Sequence, residues 1–212
     1  MNRFIKAESL PEKVIFTDDP LRVKMLAAHY LDNVEGLYVL RGMIGCIGEY
    51  RGSRIAFISC GFGESAARLH MAEAARLGTR EIIYLGECVS LTRDIDLMSV
   101  IVADGGHPEL LGHILKKADT IHTKVKIVET VTNDCFWCEG VAAQGEKELS
   151  IVDFAASAIY SEAKKLGVTA AVMLTVSENN VTTERITEDT RQSRFNDSSV
   201  LALEVLSQRT PI

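Results

Sequence analysis

The alternation of apolar and polar positions predicts strands and helices that follow one another along the chain. Short apolar runs of strand type, bounded by glycine or polar residues, recur at seven places. They lie near Val14, Ile44, Ile55, Ile82, Val100, Lys126 and Val172. Between them, apolar residues that recur every three to four positions predict helices. The helical segments begin at Pro20 and then cover residues 64–77, 108–118, 151–166 and 187–208.

Turn signals support this order and favour one domain. Arg51 and Gly52 join two β-rich runs into a predicted hairpin, and Gly78 and Gly167 stand where glycine commonly ends a helix. The sequence contains no internal repeat, low-complexity tract or linker. Because strands and helices alternate, we expect a single α/β domain over residues 1–212 with a largely central sheet.

Composition and charge remove several classes of protein. The 212 residues are 47% hydrophobic and 25% charged, which is ordinary globular usage and excludes disordered and fibrous chains. The net charge of -6, with no basic stripe, disfavours a nucleic-acid partner. No apolar run reaches the roughly 18 to 20 residues of a membrane span, and the first residues lack the apolar core of a signal peptide. We therefore expect a cytoplasmic protein that does not bind membranes.

The sequence gives no sign of a metal or a common cofactor. The five cysteines form an odd count, mostly within apolar runs, which suits reduced thiols better than disulfides. Cys135 and Cys138 form a CxxC with no second pair of ligands, so a zinc site is not expected. Dinucleotide, P-loop, serine-hydrolase and zincin motifs do not occur. We expect no cofactor.

The candidate chemistry lies at the carboxyl ends of the predicted strands. In open α/β sheets ligands bind beyond these ends. The residues there are Asp18 and Asp19, 61–63, 86–88, 134–137 and 177–179. Each acid taken alone is more simply explained as a helix cap or a solvated turn, and only the five strand ends together favour a site.

Six segments at these positions resemble, in order, the motifs of the nucleoside phosphorylase family. They are DDPLR (18–22), LRGMIG (40–45) followed by GEYRG, CGFG (60–63), the strand with Gly86 and Cys88, LTVSE (174–178) and RQSRFND (191–197). The pattern is similar to the hexameric bacterial purine nucleoside phosphorylases, with uridine phosphorylase next, and extends from about Phe4 to Leu206. The resemblance implies a mixed, partly barrel-like sheet flanked by helices. It also implies cleavage of the N-glycosidic bond of nucleosides with phosphate as the nucleophile.

The resemblance implies a phosphate pocket that has been altered. Asp18 stands where the family has an anion-binding glycine, Tyr84 replaces an arginine, and Glu87 replaces a hydroxyl residue, while Arg22 and Arg41 remain. A carboxylate 4 Å from a unit negative charge opposes it by about 4 kcal/mol at an effective dielectric near 20. We expect Asp18 and Glu87 to pair with the two arginines and to occupy the place of the anion. The alternative is that both acids point to solvent.

The sugar positions are altered as well. Ala155 replaces the glutamate that holds the ribose hydroxyls in the family, and Phe4 replaces the histidine that a neighbouring subunit supplies. Asp153 keeps an acid. The implied base and sugar pocket consists of Phe62, Cys88, Phe136, Trp137, Asp153 and Phe154; aromatic stacking on a base and simple core packing explain the aromatic residues equally well. Because Arg41 and Phe4 match positions that face a neighbour's site, we expect a homo-oligomer, a dimer or a hexamer.

Two residues match the family's proton-donating machinery. Glu178 stands where an aspartate protonates the departing base, and Arg191 where an arginine interacts with that aspartate. One hypothesis is therefore an enzyme that cleaves the N-glycosidic bond of a purine-like or modified nucleoside with water in place of phosphate. In it Glu178 is the acid and Glu87 or Asp18 activates the water. The alternative hypothesis is a non-catalytic protein of the same fold that binds a nucleoside or base, or that serves in an assembly.

Overall fold

A computed structural model describes residues 2–135, 150–193 and 195–208 of the chain. The strands are β1 (Lys13–Thr17), β2 (Asp32–Leu40), β3 (Met43–Tyr50), β4 (Ser53–Ser59), β5 (Glu81–Ser90), β6 (Val100–Ala103), β7 (Val125–Val128), β8 (Val131–Thr132), β9 (Ile151–Asp153), β10 (Thr169–Asn179) and β11 (Glu184–Arg185). The helices are α1 (Pro20–Tyr30), α2 (Glu64–Arg76), α3 (Pro108–Thr120), α4 (Ala156–Leu166), α5 (Glu188–Ser193) and α6 (Asn196–Ser207).

The strands form one mixed sheet, which confirms the predicted α/β class. The main path runs β2-β3-β4-β1-β5-β10-β6-β7. Strands β4, β1, β5 and β10 are parallel neighbours, whereas β2, β3 and β4 form an antiparallel meander and β6 runs antiparallel to β10. The carboxyl ends of β1, β5 and β10 therefore meet at one edge of the sheet, in the arrangement that positions a ligand site in α/β proteins.

Helices cover both faces of the sheet because the central strands are buried on both sides. Every residue of β5 and of β10 is buried, as expected for strands inside a sheet with two covered faces. Apolar side chains of α2 and α4 pack on one face, and those of α1, α3 and α6 pack on the other. Among the described residues, no helix is both long and apolar enough to cross a membrane.

Several element predictions were wrong in detail. The helix expected over 151–166 begins only at Ala156, because Ile151–Asp153 pairs with β5 as strand β9. The helix expected over 187–208 consists of α5 and α6, with Phe195 between them. The run near Lys126 forms two short strands, and β2 was not predicted at all. Five of the first six positions of β2 are exposed, so the strand lacks the alternation that marks a half-buried one.

Candidate active site

The candidate site lies where β1, β5 and β10 end side by side. Asp18 directly follows β1, Glu87 lies near the end of β5, and Glu178 lies near the end of β10. All three acids are buried, with exposed fractions of 4–7%. The alternative that Asp18 and Glu87 point to solvent is therefore wrong, and the charge of each must be balanced inside the protein.

Asp18 pairs with Arg22 as the sequence analysis expects. Asp19 caps α1 by accepting a hydrogen bond from the Leu21 amide. Asp18 lies just before this cap and Arg22 lies in the first turn of α1, four residues later. The Arg22 Nη1 to Asp18 Oδ1 distance is 2.7 Å. Nη1 also donates to Thr17 Oγ1, and the guanidinium lies 4.3 Å from the centroid of the Phe195 ring. Arg22 is 1% exposed, so this ion pair is fully enclosed.

Glu87 pairs with Arg191 and not with Arg41. Arg191 Nη1 donates to Glu87 Oε2 at 2.5 Å, whereas Arg41 is exposed in a β-turn between β2 and β3 and lies over the Phe4 ring. The expected pairing of Glu87 with Arg41 is therefore corrected. Burial, and next the negative charge of Asp18, raise the pKa of Glu87; a hydrogen bond from Ser177 and the charges of the arginines oppose that rise.

The two ion pairs belong to one network. Arg22 Nη2 donates to the backbone carbonyl of Arg191 at 3.3 Å, which joins α1 to α5. Arg191 Nε lies 3.7 Å from the exposed carboxylate of Glu188. Among the described residues, the buried Nε atoms of Arg22 and Arg191 have no hydrogen-bond acceptor. Two carboxylates and two guanidiniums thus balance one another at the place where the family resemblance puts an anion.

Tyr84 fills space beside this network. It is 2% exposed, and its ring lies so close to Gly86 that a side-chain carbon added at Gly86 would collide with ring atom Cε1. Burial, followed by the charge of Asp18, raises the pKa of the Tyr84 hydroxyl well above its usual range. Tyr84 is therefore a neutral group at a position where the resemblance implies an arginine.

Glu178 is positioned by an irregularity in β10. The register of β10 against β5 shifts between Val176 and Glu178, so Val176 is opposite Cys88 and Glu178 is opposite Val89. Glu178 Oε1 lies 2.9 Å from Arg185 Nη2 of the neighbouring strand β11. The ion pairs described for Arg191 are with Glu87 and Glu188. The orientation of Glu178 by Arg191 stays a prediction from the resemblance.

Asp153 has a structural role that its sequence context did not reveal. Its Oδ1 accepts hydrogen bonds from the amides of Ala155 and Ala156 and from Thr132, and its Oδ2 accepts one from Thr130. The carboxylate thus satisfies amides at the start of α4, as a helix-capping acid does. Its hydrogen-bonding capacity is largely used for this purpose.

Other members of the implied base and sugar pocket are partly brought together. The rings of Phe62 and Phe154 are 4.9 Å apart, with Phe62 half-exposed and Phe154 buried. Cys88 is buried, and burial raises the pKa of its thiol well above the usual range. Phe136 and Trp137 lie outside the described residues, as does Cys138.

The segment around Asp134 and the N-terminal segment are each tied to α2. Asp134 accepts hydrogen bonds from the Glu64 amide, which caps that helix. Buried Glu73 accepts three backbone hydrogen bonds, from Arg3, Phe4 and Ile5, and so fixes the N-terminal segment. Sequence reasoning missed Glu73 because its partners lie about 70 residues away. It also missed Thr17, although Thr17 stands next to the motif acid Asp18, which is the one signal that could have found it.

An open cleft of about 350 Å³ adjoins the network at Phe195 and Thr190. Its lining consists of Met98, Val100, Thr175, Thr190, Phe195, Asn196, Asp197 and Ser198. The predicted phosphate-pocket residues do not line it. Within the described ranges, no group of three or more His, Cys, Asp or Glu residues could hold a metal ion.

Comparison with known proteins agrees with the fold and the order of the motifs. Residues 12–177 match the family model described as the phosphorylase superfamily. The chain therefore belongs to the phosphorylase superfamily, and within it to the nucleoside phosphorylases at distant identity.

The relatives it matches are named as DeoD-type purine nucleoside phosphorylases. Identity is 28% to the protein of Shewanella sp. (strain MR-4), 29% to the type 2 protein of Vibrio parahaemolyticus and 30% to the type 2 protein of Vibrio cholerae. Each alignment covers 91% of this chain and 92% of the relative. The range matched by the family model contains the altered positions Asp18, Tyr84, Glu87 and Ala155.

Proposed function

We propose that this protein cleaves the N-glycosidic bond of a purine-like or modified nucleoside without phosphate. Water replaces phosphate, and Glu178 donates the proton that the leaving base requires. The observation that carries the proposal is the buried network in which Asp18 neutralises Arg22 and Glu87 neutralises Arg191.

Charge balance argues against phosphate at this network. Asp18 and Glu87 offset the two guanidiniums, so an added dianion meets no net positive charge from these four groups. Each carboxylate opposes each unit of anion charge by about 4 kcal/mol at 4 Å and an effective dielectric near 20. Tyr84 is neutral and adds bulk rather than charge. A water molecule is small and uncharged, so none of these penalties applies to it.

Departure of the base requires a proton donor, and Glu178 is the candidate. It is 5% exposed, at the end of a central strand, and Arg185 holds its carboxyl group from one side. General acid catalysis by a positioned carboxyl group is worth roughly 100- to 10,000-fold in rate. The substrate class follows from the relatives, which are named as purine nucleoside phosphorylases.

A second candidate, a non-catalytic protein that binds a nucleoside or base, is favoured by the sugar positions. Ala155 offers a methyl group where the resemblance implies a carboxylate. The adjacent acid, Asp153, is engaged with Thr130, Thr132 and the start of α4. With no free carboxylate at these two positions, the ribose hydroxyls would be bound weakly. Weak ribose binding is expected of a protein that binds the base without turning over the nucleoside.

The decisive experiment follows free base released from a panel of purine and modified nucleosides in phosphate-free buffer. We expect release by the unmodified protein and its loss in Glu178→Gln. Glu184→Gln is the matched control, because Glu184 is an exposed acid on the strand that pairs with Glu178. Acceleration by millimolar phosphate would refute the proposal. Binding of base or nucleoside without product would establish the second candidate.

Self-association is part of this proposal because Arg41 and Phe4 match positions that face a neighbour's site in the hexameric relatives. Here the Arg41 guanidinium lies 5.4 Å from the centroid of the Phe4 ring, and Arg41 is exposed. We expect a dimer or a hexamer in sedimentation velocity at micromolar concentration. A monomer under those conditions would contradict this.

A further inference from the structure

We infer that Glu87, and not Asp18, is the catalytic base that activates the attacking water, and that it works opposite Glu178 as one of two carboxyl groups on the same face of the sheet. The inference rests on the proposed function and assigns a role within it.

The strand register places the two acids together. Strands β5 and β10 are parallel neighbours, with Thr175 opposite Glu87 and Glu178 opposite Val89. Side chains two residues apart on a strand share a face, so Glu87 and Val89 lie on the same face of β5. Glu178 is opposite Val89 on the parallel strand β10, so its side chain lies on that face as well. Neighbouring strands are about 4.8 Å apart and each residue advances about 3.3 Å, which gives roughly 8 Å between the Cα atoms of the two acids.

The irregularity at Ser177 is what produces this arrangement. Without the register shift between Val176 and Glu178, Glu178 would be opposite Ser90 and would point to the other face. A bulge that re-aims a side chain is a recurrent device next to active sites. The Ser177 hydroxyl donates to the backbone carbonyl of Cys88 at 3.3 Å and so ties the bulge to the residue that follows Glu87 on β5.

Asp18 is less suited to the same task. It follows β1, which is separated from β10 by β5, so it is about one strand spacing farther from Glu178. It also makes the more enclosed ion pair, because its partner Arg22 is 1% exposed whereas the side chain of Arg191 is 22% exposed.

The charged and polar groups that face Glu87 come from each element packed against it. They are Asp18 after β1, Arg22 on α1, Arg191 on α5, and Ser177 and Glu178 on β10. Burial is the largest cause of the raised pKa of Glu87, and the charge of Asp18 adds to it, whereas Ser177, Arg191 and Arg22 act in the opposite direction. A base whose pKa lies nearer the working pH accepts a proton more readily in the transition state.

The step balances with water as the only co-reactant. The water oxygen forms a bond to the anomeric carbon of the sugar while one of its protons passes to the Glu87 carboxylate. The carbon–nitrogen bond breaks with its electron pair on the base, and the protonated Glu178 carboxyl group gives its proton to that nitrogen. Free base and free pentose leave. The proton on Glu87 returns to solvent and Glu178 takes one up, and the single displacement inverts the anomeric centre.

The test compares Glu87→Gln with Glu35→Gln, which removes an exposed acid whose ion pair with Arg54 lies outside the site. We expect Glu87→Gln to lower kcat for base release about 100- to 10,000-fold with little change in KM. Glu35→Gln should stay within about twofold of the unmodified protein. In the unmodified protein the acid limb of the kcat/KM profile should lie above pH 4.5, and exogenous formate should restore turnover to Glu87→Ala. The sugar first released should be the α-anomer by NMR.

Several results would overturn the inference. If Glu87→Gln loses thermal stability but keeps kcat and the acid limb of the kcat/KM profile, Glu87 is only a structural partner of Arg191. Retention of the anomeric configuration, with a pentosyl adduct on Glu87 by mass spectrometry, would make it a nucleophile instead of a base. In both cases base release by the unmodified protein stands, so the proposed function survives. If the unmodified protein releases no base, both proposals fail together. If Glu87→Gln does not fold, two measurements on the unmodified protein still test the inference: the acid limb of its kcat/KM profile and the anomer of the sugar that it first releases.

Discussion

Replacement of Asp18 by glycine tests whether a carboxylate has taken the place of an anion. The change removes the charge that Arg22 faces and opens the volume of the side chain. Arg22 is then left with Thr17 Oγ1 at 3.1 Å, the Arg191 carbonyl at 3.3 Å and the Phe195 ring. None of these carries a negative charge, so a guanidinium that is 1% exposed loses its ion-pair partner.

The expected cost follows from the burial of both partners. Removal of one partner of a buried ion pair destabilises a protein by about 3–5 kcal/mol, because the remaining charge stays desolvated. For a chain of this length, 1 kcal/mol corresponds to about 2–4 °C in Tm. We therefore expect Asp18→Gly to melt about 6–20 °C below the unmodified protein in anion-free buffer.

Phosphate should reverse part of this loss in the variant alone. An anion that binds only the folded state at 100 times its Kd adds about 2.7 kcal/mol. The assay is a thermal melt with and without phosphate, with equal concentrations of chloride as the ionic-strength control. Adding Glu87→Ser should increase the rise in Tm caused by phosphate, because Arg191 then lacks its carboxylate partner. Tyr84 still supplies no positive charge, so phosphate should restore only part of the lost Tm.

The matched control is Glu35→Gln, which breaks an ion pair at the surface. Glu35 and Arg54 are 3.8 Å apart and mostly exposed, and such pairs contribute little to stability. A change of Tm like that of Asp18→Gly would show that charge loss anywhere has this effect. The reasoning fails if Asp18→Gly keeps the stability of the unmodified protein without anions. It also fails if phosphate raises the Tm of the unmodified protein specifically.

Two further predictions concern groups around the site. Burial alone would raise the pKa of Glu73, but hydrogen bonds from three backbone amides outweigh it and lower the pKa. A lowered native pKa gives stability that is present above about pH 4.5 and lost as the pH falls through the native value. Glu73→Gln should therefore lower the free energy of unfolding in urea at pH 7 but much less below pH 4; an equal loss at both pH values would contradict this. Gly86→Ala should cost about 1–3 kcal/mol because the added carbon meets the Tyr84 ring, and Tyr84→Leu in the same chain should recover part of it. Additive losses in that double-mutant cycle would show that the two residues do not interact.

The sequence by itself determined most of the elements and the contacts that are short-range. Apolar runs fixed β1, β5 and β10 as buried strands, because a continuous apolar segment can be accommodated only where both faces of the sheet are covered. The pairing of Asp18 with Arg22 was also predictable, since an acid just before the start of a helix is close to a base in the first turn of that helix. The order of six motifs along the chain was sufficient to identify the family.

The tertiary structure decided which distant groups meet. Glu87 was expected to pair with Arg41, but its partner is Arg191, 104 residues away in sequence. The acid at Asp153 became a cap for α4 because β9 pairs with β5 and brings that carboxylate to the start of the helix.

A single register shift had the largest consequence. Sequence periodicity alone gives no sign of the bulge at Ser177, because a bulge adds one residue without changing the apolar run around it. Yet one residue of slip moves every later side chain to the opposite face of a sheet. The sequence therefore supplied both carboxylates, while strand pairing decided that Glu178 and Glu87 share a face.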